Sequence, residues 1–195
     1  MQKVNYNLVM KQQLSALQGK PRLLLHVCCA PCSSGVLPKL KEYFDITLYY
    51  YNPNTYPKDE YLLRAEQFAK LTDLPLVVCD YNHNEFLDAV KGFEQNQEGG
   101  TRCQKCIELR LENSFNYAKT NNYDYVTTTL SISPHKDAQF INSCGKKLQQ
   151  QYNVTYLYAD FKKDNGFLFS INESKKYDLY RQEYCGCEFS FTTKN

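Results

Sequence analysis

What this sequence lacks narrows it quickly. No apolar run approaches the roughly 20 residues a bilayer-crossing helix needs, which excludes a helical membrane span. The opening stretch MQKVNYNLVMKQQLSALQGKPR has no apolar core of signal-peptide length, so a cytoplasmic location is expected. Neither sign of charge dominates: 23 Lys and Arg against 21 Asp and Glu leave +2, which neither demands nor excludes a nucleic-acid partner. The phosphate-cradling patterns G-x-G-x-x-G and G-x-x-x-x-G-K-S/T are missing. So are the G-x-S-x-G nucleophile elbow and the H-E-x-x-H zinc motif. No repeat, linker or low-complexity tract divides the chain. Its 195 residues therefore suggest one well-buried domain, 1–195, with the polar residues 1–21 as an N-terminal arm. A content of 43% hydrophobic and 23% charged residues is that of an ordinary globular protein and argues against a disordered or fibrous chain.

What is present in excess is cysteine. Nine is an odd number, so complete pairing within one chain is impossible. In a reducing compartment, clustered cysteines hold metal or carry redox chemistry more often than they form structural disulfides. Scattered small hydrophobes would be the plain alternative. Position argues against it, because Cys28, Cys29 and Cys32 share one pentapeptide, Cys103 and Cys106 form C-x-x-C, and Cys185 and Cys187 form C-x-C. Only Cys79 and Cys144 stand alone.

Apolar runs at 22–28, 46–51, 75–79, 125–130 and 154–158 read as strands. Helical spacing appears at 36–44, 59–71, 84–90, 103–118, 138–152 and 173–181. This alternation implies right-handed crossovers and an α/β three-layer sandwich around a mainly parallel sheet. Ligands of such sheets bind beyond the carboxyl ends of the strands. Cys28, Cys29 and Cys32 follow the first strand, Cys79 and Asp80 end the third, and 131–137 follow the fourth, so all should face one rim. Asp80 is a candidate metal ligand for that reason.

Thiols that bind metal must be deprotonated, and helix N-termini lower thiol pKa values. Both the 28–32 group and the 103–106 pair lie where a loop enters a helix. Two ligands from each would close a four-thiolate site, with one thiol left over. A closed zinc site, an iron–sulfur cluster and a thiol-redox pair all remain compatible with this spacing. In Cys185-Gly186-Cys187, a disulfide would close a small, strained ring, suited to reversible electron transfer. Two core cysteines or a metal pair are the alternatives there. In TTTLSISPHKD, His135 is a candidate acid near neutral pH. Lys136 and Tyr184 are further candidate proton donors by position. His26, inside a strand, reads as a core residue, and His83 as a surface turn residue. The 49–64 segment joins aromatics to Asn52, Asn54, Glu60 and Arg64, suited either to gripping a base and phosphate or to a plain strand-turn-helix. The 174–181 stretch interleaves basic and aromatic residues and reads as an RNA-facing or plainly amphipathic helix.

Five stretches taken in order, LLLHVCCAPCSSG, YYNPNTYPKDEYLLR, TRCQKCIELRL, TTTLSISPHKD and YRQEYCGCEFS, resemble the epoxyqueuosine reductase QueH family across residues 23–190. The resemblance implies a Rossmann-like fold similar to the adenine-nucleotide alpha-hydrolase group. It implies reduction of epoxyqueuosine in tRNA to queuosine, without cobalamin. It implies a [4Fe-4S] cluster on Cys28, Cys29, Cys103 and Cys106, and an additional iron beside it. Cys32 stands where some members carry Asp and is the expected ligand of that iron. Cys185 and Cys187 match the family's redox-active disulfide. The implied partners are tRNA and an unknown electron donor, with no membrane. Two other readings compete. One is a zinc-stabilised RNA-binding module without catalysis. The other is an ATP-dependent tRNA-thiolating enzyme, disfavoured because the turn after the first strand lacks glycines.

Overall fold

The structure, a computed structural model, describes residues 3–190. Five strands form a single all-parallel sheet: β1 (Arg22–His26), β2 (Asp45–Tyr50), β3 (Leu76–Val78), β4 (Tyr125–Thr128) and β5 (Thr155–Tyr156). Their order across the sheet is β3-β2-β1-β4-β5. The helices are α1 (Tyr6–Ser15), α2 (Ala30–Ser34), α3 (Leu37–Leu40), α4 (Lys58–Glu66), α5 (Phe68–Leu71), α6 (His83–Ala89), α7 (Thr101–Thr120), α8 (Ala138–Tyr152) and α9 (Gly166–Lys176).

Strand side chains alternate between faces, and both faces are covered. Leu23, Leu25, Ile46, Leu48 and Tyr50 pack on one side with residues from α1, α3 and α5. Leu24, Tyr49, Val126 and Tyr156 pack on the other with α7 and α8. This is the expected α/β Rossmann-like three-layer sandwich. Gly145 permits the closest approach in the second core, because a Cβ there would sit 2.3 Å from the Tyr156 ring. No helix among the described residues is long and apolar enough to cross a membrane.

Three elements differ from the sequence expectation. Residues 6–15 form α1, which docks by Met10 and Leu14. Gln13 donates to the Tyr156 carbonyl at 3.0 Å and accepts from the Tyr158 amide at 2.9 Å. The helix expected at 36–44 is confined to α3, and the stretch before it forms the separate short helix α2; each has proline in its first turn, Pro31 in α2 and Pro38 in α3. The last helix begins at Gly166 and ends at Lys176, so most of it lies upstream of the expected 173–181.

The sheet order places the topological switch between β1 and β4, where crossovers leave in opposite directions. The loop after β1 and the single-turn 3-10 helix Thr129–Ile132 after β4 flank that switch point.

Candidate metal-thiolate site

β1 ends on His26, whose ring nitrogens meet Thr128 Oγ1 at 2.8 Å and the Tyr51 carbonyl at 3.1 Å. Burial pushes its pKa down to about 3, so the ring is neutral and structural, as its place in a strand suggested. Two residues on, the Cys28 amide donates to Thr129 Oγ1 at 3.2 Å, and that hydroxyl donates back to Cys28 Sγ at 3.4 Å. The β4 crossover thus fixes the first thiol. Cys29 is the N-cap of α2, its sulfur accepting from the Cys32 amide at 3.4 Å. Sγ of Cys28 and Cys29 lie 3.8 Å apart, and the sulfurs of Cys28, Cys29 and Cys32 all lie within 4.8 Å of one another.

These three thiols share their protons unequally. Hydrogen bonds from Cys29 and Cys32 hold the Cys28 thiol well below the ordinary range. Burial pushes Cys29 up to about 12, and the hydrogen bond to Cys28 pushes Cys32 up as well. A metal ion bound to these sulfurs would ionise all three thiols.

A second pair stands at the start of α7. Cys103 Sγ accepts from the Gly99 amide at 3.3 Å. Cys106 is buried, and burial pushes its thiol up to about 12. One turn further, Arg110 reaches Cys106 Sγ at 4.0 Å.

The third group returns from the C-terminal end. Gly186 has φ +117, and a Cβ there would lie 2.8 Å from Arg64 Nη1, so only glycine fits the turn between Cys185 and Cys187. Arg64 donates to the Cys185 carbonyl at 3.3 Å, and the Tyr56 amide donates to the Gly186 carbonyl at 2.9 Å. Lys136 Nζ lies 3.7 Å from Cys185 Sγ, and that sulfur is the main reason its pKa is raised. All nine cysteines are free thiols.

Two adjoining cavities collect these groups. The larger, about 450 Å³, is lined by Cys28, Cys32 and Cys185 with Arg64, Arg110 and Lys136. The smaller, about 70 Å³, is lined by Cys103, Cys106, Cys185 and Cys187 with Arg102. His135, Lys136, Arg110 and Cys185 border both. Cys103 and Cys106 are outside the tight 4.8 Å group and face it from the neighbouring cavity. Cys79, Asp80 and Cys144 line neither cavity.

Several residues here carry more than the sequence suggested. Arg64, Arg102 and Arg110 are each only 3% exposed. Each keeps at least one buried N–H without a partner: Arg64 Nη2, Arg102 Nε and Nη2, and Arg110 Nε. His83 is largely buried, not a surface turn residue. It bonds the Pro53 carbonyl at 2.7 Å and Glu188 at 2.7 Å, tying the turn after β2 to the C-terminal segment. Arg110 was the most legible of these, lying one helical turn from Cys106 in C-I-E-L-R.

Clustered thiols and buried cations together suit a negatively charged metal–sulfur group. Fold and site define the class: an α/β protein with a thiol-rich cleft, able to hold a metal, at the carboxyl rim of a parallel sheet. The family model described as "Epoxyqueuosine reductase QueH" matches residues 23–193. This chain belongs to the epoxyqueuosine reductase QueH family. It is 42% identical to the "Epoxyqueuosine reductase QueH" of Streptococcus pyogenes serotype M1, over 97% of this chain and 79% of that protein. The protein of the same description from Staphylococcus epidermidis is 40% identical, over 97% of this chain and 85% of the relative. That of Thermotoga maritima is 33% identical, over 86% and 89%.

Proposed function

We propose that this chain reduces epoxyqueuosine in tRNA to queuosine in the cytoplasm. In this reading Cys28, Cys29, Cys103 and Cys106 hold a [4Fe-4S] cluster, and Cys32 faces an additional iron. Bound there, these groups would supply one-electron transfer and a Lewis acid for the epoxide oxygen.

The chain's own residues supply the rest. Cys185 and Cys187 act as a dithiol. Both C–O bonds of the epoxide break, a C=C bond forms, and the oxygen leaves as water. The two electrons and two protons this needs equal those released when the dithiol becomes a disulfide. Lys136 Nζ stands 3.7 Å from Cys185 Sγ, within contact of the reacting sulfur. His135 is exposed where both cavities meet, which suits it to exchanging protons with solvent. A cavity of about 450 Å³ accommodates one nucleoside turned out of a single-stranded loop. Arg181, at the wall of that cavity and 5.4 Å from the Phe167 ring, is placed to meet the RNA backbone. A separate electron donor must then reduce the disulfide for the next turnover.

The observation that carries this reading is the sulfur-lined cleft itself, where thiols from three separate segments face two adjoining cavities. The test is to measure iron, acid-labile sulfide and zinc in protein purified without oxygen, and its turnover of epoxyqueuosine-containing tRNA. Iron and sulfide together with queuosine formation are expected. Zinc without iron would overturn the reading and favour the non-catalytic RNA-binding module.

A further inference from the structure

Arg110 is a buried cation that no carboxylate neutralises. It is 3% exposed, and among the described residues it makes no ion pair. Arg64, equally buried, is paired with Glu60 at 2.7 Å. Buried charges are normally paired or bound to a metal centre, so Arg110 needs a counter-charge. Glu98 borders the same two cavities but makes no ion pair with it, and the ionisable group Arg110 contacts is a thiol. Nη1 lies 4.0 Å from Cys106 Sγ. Nη2 donates to Asn52 Oδ1, and Asn52 Nδ2 donates to the Val27 carbonyl at 2.9 Å, the residue before Cys28. The guanidinium therefore joins the two thiol-bearing segments, the loop after β1 and the first turns of α7. It borders both cavities, and its Nε has no partner.

We propose that Arg110 is the fixed counter-charge of the metal–thiolate centre and holds its reduction potential up. This rests on the iron–sulfur reading above. Reduction adds a negative charge to the centre. A permanent cation within the same low-dielectric pocket stabilises the reduced state more than the oxidised one. Nη2 and Asn52 set where that charge sits, so Arg110 is a positioning and tuning residue that need not touch substrate.

The test is a redox titration of the cluster, followed by visible absorption and paramagnetic resonance, in wild type, Arg110→Gln and Arg110→Lys. Arg110→Gln is expected to hold its iron and sulfide and to favour the oxidised cluster at least tenfold at fixed potential, a shift of about 59 mV downward for one electron. Arg110→Lys keeps the charge and is expected to stay near wild type. If Arg110→Gln cannot retain iron while Arg110→Lys does, the need for charge is supported by loading instead. An unchanged potential in Arg110→Gln overturns the inference while leaving the iron–sulfur reading intact. So does loss of iron in both variants, because shape alone would then explain Arg110. Zinc without iron in wild type overturns the underlying reading, and this inference with it.

Discussion

The two halves of α7 belong to one continuous helix and are built on opposite rules. In residues 111–120, Leu111, Phe115 and Ala118 are fully buried against the sheet, with Phe115 near Tyr152 and Tyr156 at ring distances of 6.1 and 6.0 Å. In residues 101–110 that apolar stripe continues at Ile107, and a separate row beside it buries Arg102, Cys106 and Arg110. Among the described residues, three guanidinium nitrogens there have no partner, and each such buried donor costs about 1–3 kcal/mol. By burying that polar row the helix gives up stability in its first three turns. The far half holds the fold, and the near half keeps charge and sulfur ready for a ligand. Departures from local consistency of this kind are expected at functional sites.

The sharpest way to break that comparison is at Cys106. Cys106→Ser is expected to abolish both iron loading and turnover while the far-ultraviolet dichroism of the fold persists; elemental analysis and a turnover assay check it. Full iron content in this variant would remove Cys106 from the ligand set. Next comes Cys185→Ser. Here turnover is expected to vanish while the chromophore stays, because the Cys185–Cys187 group is assigned to electron supply and not to the cluster. Normal turnover would defeat that role. On the far half, Phe115→Ala is expected to cost about 3–5 kcal/mol in denaturant unfolding. Iron per folded molecule should stay at the wild-type value. A loss of iron in the folded fraction would show that the two halves are not independent.

How much of this was legible in the sequence follows the same division. β1 and β2 were visible because R-L-L-L-H and D-I-T-L-Y-Y are strands buried along most of their length. The thiol groups were visible because their members are near neighbours in the chain. The polar N-terminal stretch read as an arm with room for a short helix; its docking was the hidden part, made by two apolar residues and one glutamine at the β5 edge. The start of α9 was hidden because G-F-L-F-S-I-N has no clear helical charge spacing and follows Asn165, whose φ of 58 belongs to a turn. Buried arginines were the least legible. A charged residue is exposed by default, and only the packing of α7 against the loop after β1 encloses Arg110. His83 was misjudged for a related reason, since Glu188, its anchoring partner, is 105 residues away.

The smallest expected effect concerns the thiol that resembles the others only in composition. Cys144 is 8% exposed and packs in the core between the sheet and α8, with α7 as neighbour. Burial pushes its pKa up to about 12, with the Glu108 charge adding to the effect. At pH 8 an ordinary thiol near pKa 8.5 is about one-quarter thiolate, while a thiol at pKa 12 is ionised at about 10⁻⁴. Because the thiolate is the reactive form, alkylation of Cys144 by iodoacetamide in the native, metal-free protein should be roughly 10³-fold slower than at an ordinary exposed thiol, before its burial is counted. Cys185, which lines both cavities, should be modified well before it. Peptide mapping after timed alkylation reads both positions at once. If Cys144 reacted as fast as Cys185, the α7–α8 core would be open to solvent, and the contrast between a sealed far half and an accessible near half would fail.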